Sequence, residues 1–206
     1  MANGTITLDQ KSVFGYHAAD NCEWPESAME LVTRTYGIPI TSAVVWDSGQ
    51  PLPSTAANDD LGFAFGAGVS ASVSPVIETG DIKASNSTRK AAIPIILPDR
   101  YSAGKSLTLK MFAGAKTTIS DTSMTLDVEV FKSDGDGTSN ADICATSAIS
   151  INSLTHASRD FTITPTGLVA GDLLWAVISI AYNDSATATA VIGQIGKIDL
   201  EAVCRG

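Results

Sequence analysis

Three aspartates, Asp134, Asp136 and Asp142, lie close enough together in the sequence to suggest a cation site. Hard cations such as Ca²⁺ need several oxygen ligands in one place, and an Asp-x-Asp loop supplies them. The glycine and the closing glutamate that an EF-hand loop requires are missing, and aspartate alternating with glycine is also typical of a solvated hairpin turn. The pattern favours the turn, and it leaves open whether a cation binds near Asp134 and Asp136.

The two histidines, His17 and His156, are the only residues of their type that could act as a general base. A Ser–His–Asp triad needs that base beside a nucleophile and held by a carboxylate, and the chain has no G-x-S-x-G elbow. His156 sits in a connection rich in serine and threonine. We expect both histidines to be exposed or partly packed, and two histidines argue against a multi-histidine zinc site.

Asp127 and Glu129 alternate with apolar residues and should therefore lie on the outward face of a strand. A glycosidase needs two carboxylates at a set separation in a cleft, so we interpret this pair as solubilising charges. Phosphate-binding glycine motifs are absent. The sequence predicts no catalytic residue, no metal ligand, no cofactor and no enzyme activity.

The three tryptophans, Trp24, Trp46 and Trp175, could form a platform on which sugars stack. Trp175 lies in the most apolar segment, which favours a place in the core. Trp24 and Trp46 lie in an irregular segment and could instead anchor a neighbouring subunit, since tryptophan is enriched at interface hot spots.

The composition is that of a folded, acidic protein of 206 residues, with 44% hydrophobic and only 17% charged residues. A charged fraction below the usual value of about 25% argues against disorder. The net charge of −9 repels phosphate backbones, which excludes nucleic acid as the main partner.

Cysteine usage and hydropathy predict a protein made in a reducing cytoplasm. Cys22, Cys144 and Cys204 are widely spaced and form no C-x-x-C pair, so we expect buried thiols, although one disulfide remains an alternative. We expect no signal peptide at the N-terminus. The longest apolar stretch, near 173–182, is about half of the ~20 residues that span a membrane, so we expect no membrane partner.

Apolar and polar residues alternate with a period of two in several segments, which predicts β-strands. The clearest are 107–111, 124–131 and 198–204, whereas 173–180 is apolar on both faces and should be a central strand. Pro94 demotes its segment to an edge or a bulge because it cannot donate a ladder hydrogen bond. Roughly eight to ten strands predict an all-β fold, a two-sheet β-sandwich of jelly-roll type.

Strand-like segments and turns succeed each other regularly from about residue 58, which suggests two regions. We predict an irregular N-terminal arm or outer segment over residues 1–58 and a jelly-roll domain over residues 59–206. We further expect the arm to make contacts between subunits.

Five short segments share the turns and strands of one family: Asp60-Leu61-Gly62-Phe63, Thr79-Gly80-Asp81-Ile82-Lys83, and the runs from Leu97 to Leu109, from Leu168 to Leu174 and from Ile195 to Val203. Through them, about two thirds of the chain resembles a family of tailed-phage virion structural proteins. In that family an L-P-x-x-Y loop enters the first strand of a jelly roll, and A-G-D precedes a central strand.

The resemblance implies a non-enzymatic virion structural protein. It indicates a capsid decoration or cement protein, or another head or tail surface protein, assembled in the host cytoplasm. Its partners would be further copies of itself, for example in a trimer, and the major capsid protein. The alternatives are a carbohydrate- or receptor-binding β-sandwich of a phage tail, or a subunit of an extracellular filament. A hydrolase built on a jelly roll would require His17 or His156 to meet a carboxylate and a nucleophile in a cleft.

Overall fold

The computed structural model describes residues 30–65, 74–186 and 188–206. In these residues the chain forms a short 3-10 helix, Ile40–Ser42, and ten strands: β1 Leu31–Ile38, β2 Gly62–Ala64, β3 Val76–Glu78, β4 Ser85–Ile96, β5 Leu107–Ala115, β6 Ser123–Lys132, β7 Ile149–Ser150, β8 Ala157–Ile163, β9 Leu173–Asp184 and β10 Gly193–Arg205. Among them, no helix is long and apolar enough to cross a membrane.

The strands form two antiparallel sheets. The six-stranded sheet has the order β2-β3-β10-β5-β8, with β1 also paired to β10, and the four-stranded sheet has the order β4-β9-β6-β7. The eight strands β3 to β10 thus give the orders 3-10-5-8 and 4-9-6-7, which is the jelly-roll arrangement. The prediction of an all-β, two-sheet sandwich is confirmed.

The core lies between the sheets and is built by alternation along each strand. On β9, Leu174, Ala176 and Ile178 are fully buried, while the residues between them are half-buried on the opposite side. β6 repeats the pattern, and its inward residues belong to the same hydrophobic core as those of β10 and β5. Apolar side chains at every second position therefore bury one face of each sheet.

Two predictions about individual strands are confirmed. β9 lies between β4 and β6, so the segment that is apolar on both faces is a central strand. Pro94 lies on β4, the last named strand on its side of the four-stranded sheet. A proline is tolerated there because its missing N–H is not needed by a further long strand.

Part of the predicted arm belongs to the sandwich. Residues 31–38, predicted to be irregular, form β1 and pair with β10 over their full length. Residues 43–61 run alongside β4 in space, where Val44 and Ala92 exchange backbone hydrogen bonds of 2.8 and 2.9 Å. The strand was missed because its partner lies 160 to 174 residues away in sequence. Residues 1–29 lie outside the described residues, and the boundary at residue 58 stays a prediction.

Candidate functional site

An aromatic row crosses the outer face of the four-stranded sheet. Trp175 on β9 stands directly opposite Pro94 on β4 and opposite Phe131 on β6. All three are half-buried and lie on the side away from the core, since Leu174 and Ala176 point inward. We call Pro94, Trp175 and Phe131 the aromatic row, after the two aromatic rings that it contains. The prediction that Trp175 is a core residue is wrong, because on a strand that is apolar on both faces composition does not tell which face points inward.

Polar side chains follow the aromatic row on the same face. The next row holds Glu129 beside Val177, and the row after it holds Asp127, Ser179 and Lys90. Asp127 and Glu129 are half-buried, and neither carboxylate has a hydrogen-bond or salt-bridge partner among the described residues. Their predicted position on the outward face is confirmed. Unpaired acceptors beside aromatic rings are the chemistry of a site that recognises hydroxyl groups.

Trp46 borders this face on the side of β4. Its ring lies 4.7 Å from the Lys90 ammonium nitrogen, a cation–π contact, and its side chain is 36% exposed. A turn holds the tryptophan in place, in which the Val45 N–H donates to the Gln50 carbonyl at 2.7 Å. Trp46 is therefore a second aromatic group at the border of the outer face. Trp24 lies outside the described residues.

Residues 142–148 border the same face on the side of β6. A groove of about 320 Å³ lies between this segment and β6, lined by Asp127, Glu129 and Thr146 among others. Asp142 fixes the segment to the strand because one of its carboxylate oxygens accepts from the N–H groups of Val130, at 2.7 Å, and of Cys144, at 2.8 Å. The outer face is thus flanked on both sides.

The far end of the face is polar and uncharged. A depression of about 370 Å³ is lined there by amide and hydroxyl side chains, among them Asn86, Thr88, Ser123, Thr125 and Asn183. Such groups both donate and accept hydrogen bonds. The face therefore runs from aromatic through acidic to neutral polar along the strands.

The opposite, six-stranded sheet has a different outer face. Phe112 is 47% exposed there, and its ring centroid lies 6.0 Å from that of His156. Lys110 forms salt bridges with Asp160, at 3.6 Å, and with Glu201, at 3.1 Å. Because its carboxylates are neutralised within the sheet, this face offers fewer free acceptors than the other.

His156 does not form a catalytic group with the other described residues. His156 packs against Gly114, where an added Cβ would lie 3.0 Å from the imidazole, and no described carboxylate bonds to its ring. His17 lies outside the described residues. The partly packed environment predicted for His156 is thereby confirmed.

The aspartates near residue 134 are engaged in their turn. One Asp136 oxygen accepts from the N–H of Thr138, at 2.9 Å, and from its hydroxyl, at 2.6 Å, and these bonds lower the pKa of Asp136. Asp134 accepts from the Asn140 amide at 3.2 Å. In the described part of the chain, no three His, Cys, Asp or Glu side chains converge as metal ligands.

Two of the three cysteines are free thiols. Cys144 is half-buried, and burial raises the pKa of its thiol, which keeps it protonated. Cys204 is fully buried, with its sulfur 3.3 Å from the Tyr36 hydroxyl, and this hydrogen bond raises the pKa of Tyr36. Cys22 lies outside the described residues.

Sequence reasoning missed Phe131 and Lys90 as members of this surface. The alternation in 124–131 already placed Phe131 on the outward side of its strand. Its meeting with Trp175 depends on the register of β6 against β9, for which the sequence carries no local signal. The contact of Lys90 with Trp46 depends in turn on the path of residues 43–53.

No protein-family model and no curated protein matches the chain. Among solved structures, it is similar to a family 28 carbohydrate-binding module specific for non-crystalline cellulose, with 11% identity, a TM-score of 0.42, and coverage of 80% of this chain and 89% of that one. It is also similar to a xylan-binding CBM22 domain of Paenibacillus barcinonensis Xyn10C, with 10% identity, a TM-score of 0.40, and coverage of 86% and 97%. A third is the family 30 module of a Clostridium thermocellum cellulosomal cellulase, with 12% identity, a TM-score of 0.39, and coverage of 81% and 96%. Similarity at this level assigns neither a family nor a ligand.

Proposed function

We propose that the protein is a non-enzymatic carbohydrate-binding β-sandwich and that the outer face of the four-stranded sheet binds the glycan. The observation that carries the proposal is the aromatic row lying beside the unpaired carboxylates of Asp127 and Glu129. An aromatic ring offers a flat apolar surface for the C–H face of a sugar. The carboxylates accept hydrogen bonds from its hydroxyl groups, and such charge-assisted bonds are the stronger kind.

The spacing of the rows allows one sugar to stack on the aromatic row while its hydroxyl groups reach the carboxylates. Neighbouring rows on one face are two residues apart along a strand, or about 7 Å. A sugar stacked on Trp175 therefore has its hydroxyl groups near Glu129, and the next sugar lies near Asp127 and Ser179. The polar depression beyond them gives further hydrogen-bonding positions to a longer chain.

The charge of the face favours a neutral glycan. Asp127, Glu129 and Asp142 surround the groove beside β6, and the net charge of the protein is −9. Uronic acids and sulfated sugars would be repelled at such short range. Lys90, the cation on these rows, already lies against the ring of Trp46.

The test is a titration calorimetry screen of neutral oligosaccharides, followed by two matched alanine variants. Trp175→Ala should weaken binding by about tenfold or more, as is usual for an aromatic anchor. Phe112→Ala removes an exposed aromatic side chain from the other sheet and should leave binding unchanged. The proposal would be contradicted if no oligosaccharide binds, or if both variants weaken binding equally.

The virion role implied by the sequence resemblance stands as a second proposal. The observation that favours it is the strand β1, which is an edge of the sandwich among the described strands and lies within the segment expected to contact other subunits. Light scattering of the protein alone and mixed with empty phage heads tests it. A protein that coats the heads supports a decoration or cement function, and one that ignores them contradicts it.

A further inference from the structure

β1 presents one row of backbone groups that no described strand uses. The Glu30 carbonyl accepts from Gly206 at 2.7 Å, and the Val203 N–H points away from β1, to the Ser106 carbonyl at 3.3 Å. Even-numbered residues of β1 therefore bond to β10, since donors and acceptors alternate in an antiparallel ladder. The N–H and C=O groups of Leu31, Thr33, Thr35 and Gly37 point the other way, and among the described strands β1 pairs with β10 alone.

The edge has few of the devices that prevent pairing. Natural edge strands are protected by charged side chains, especially lysine, and by proline, bulges or short length. β1 has eight residues, pairs with β10 without a bulge, contains neither lysine nor proline and carries one charged side chain, Arg34. Leu31 is 46% exposed on it. A long regular edge of this kind is a template for another strand.

We propose that β1 pairs antiparallel with β1 of a second copy, about a two-fold axis at Thr35, so that two six-stranded sheets become one. In this register Thr35 faces its own copy and Thr33 faces Gly37 of the second chain. Val32 meets Ile38, and the Arg34 guanidinium meets the ring of Tyr36. The pairs Val32–Ile38 and Arg34–Tyr36 bring residues of the inner face together, and the pairs of Thr33, Thr35 and Gly37 do the same for the outer face. A continuous sheet requires this agreement.

Two alternative registers are less favourable. Moving the axis to Arg34 keeps the faces aligned but sets Arg34 opposite its own copy, and like charges directly opposite are destabilising. A shift that pairs odd with even residues turns the inner face of one copy towards the outer face of the other. The axis at Thr35 instead places the cation against an aromatic ring.

Pairing through one edge buries little area compared with the roughly 1,200–2,000 Å² of a stable interface. The dimer should therefore dissociate on dilution. Sedimentation of the full chain over a range of concentrations should show a reversible monomer–dimer equilibrium. A protein that is monomeric at every concentration would overturn the proposal.

Thr35→Pro tests the edge itself. The Thr35 N–H points away from β10, so proline there costs no existing ladder bond but blocks the centre of the new pairing. The variant should be monomeric with an unchanged circular dichroism spectrum. A folded variant that still dimerises would show that the copies meet elsewhere.

Thr35→Cys and Thr33→Cys test the register and do not depend on the proline variant. Across the axis the two copies of residue 35 lie about 5.5 Å apart between Cα atoms. The two copies of residue 33 are offset by four residues, or about 13 Å. A short bis-maleimide should therefore link Thr35→Cys to its own copy, with peptide mapping separating this link from those of native thiols. Equal linking of both variants, or linking of Thr33→Cys alone, overturns the register.

Discussion

Trp175 on β9 is paired directly with Phe131 on β6, and both side chains lie on the outer face of the four-stranded sheet. The pair is half-buried, and beneath it Leu174, Ala176 and Val130 form the core. An aromatic pair on the outside of a sheet contributes less to folding than one in the core. It is therefore available for binding.

Phe131→Ala should separate binding from stability. Because Phe131 is only half-buried on the outer face, its removal should cost much less than the ~3–5 kcal/mol of a core phenylalanine, while glycan affinity falls severalfold. Urea unfolding and calorimetry measure the two effects. Phe161→Ala, in the fully buried core, is the matched comparison and should show the large loss of stability. Equal losses of stability in both variants would contradict the outward position of Phe131.

Glu129→Gln should change which glycans bind. Removing this charge from the face lowers the repulsion of anionic sugars, so the affinity for a uronate oligosaccharide should rise relative to that for its neutral counterpart. Asp160→Asn makes the same change in net charge on the opposite sheet and serves as the control. If both variants shift the ratio equally, the selectivity comes from overall charge and not from the outer face.

Gly62→Ala should destabilise the fold through a backbone contact. A Cβ at Gly62 would overlap the backbone nitrogen of Ala56 and lie 3.0 Å from its Cα, so residues 55–56 would have to move. Crowding of this kind costs about 1–3 kcal/mol. Gly37→Ala is the control, because its nearest neighbour would be an Asp199 oxygen at an ordinary 3.8 Å. Thermal or urea unfolding of the two variants gives the comparison.

Asp60 should make stability depend on pH. One oxygen of its carboxylate is buried without a described partner, and burial, together with the nearby Asp59 and Asp47, raises the pKa of Asp60. A carboxyl whose pKa is higher in the folded than in the unfolded state binds protons more tightly when folded. Its contribution to stability is therefore lost as the pH rises through the raised pKa.

Asp60→Asn should accordingly raise the free energy of unfolding at neutral pH, and the gain should vanish in acid, where the wild-type carboxyl is protonated. Urea unfolding at both pH values measures the difference. Asp99→Asn, at an exposed loop position, is the control and should show no such gain. A gain of equal size at both pH values would point to a cause other than titration of Asp60.

The sequence by itself determined the class of the fold. Alternation over 107–111, 124–131 and 198–204 has a period of two, which only a strand with one buried face produces, and Pro94 marked an edge because it lacks an N–H. The position of Asp127, Glu129 and Phe131 on the outward side of β6 followed from the same alternation. These are local signals, and each is complete within about ten residues.

Only the tertiary structure decided which face of β9 carries Trp175, because both faces of that strand are apolar. It also decided that Leu31–Ile38 is a strand, since its ladder is made with β10 at the other end of the chain. The aromatic row exists because three strands from distant parts of the sequence align in one register. Register between distant strands is set by the packing of the whole sandwich, which no short segment encodes.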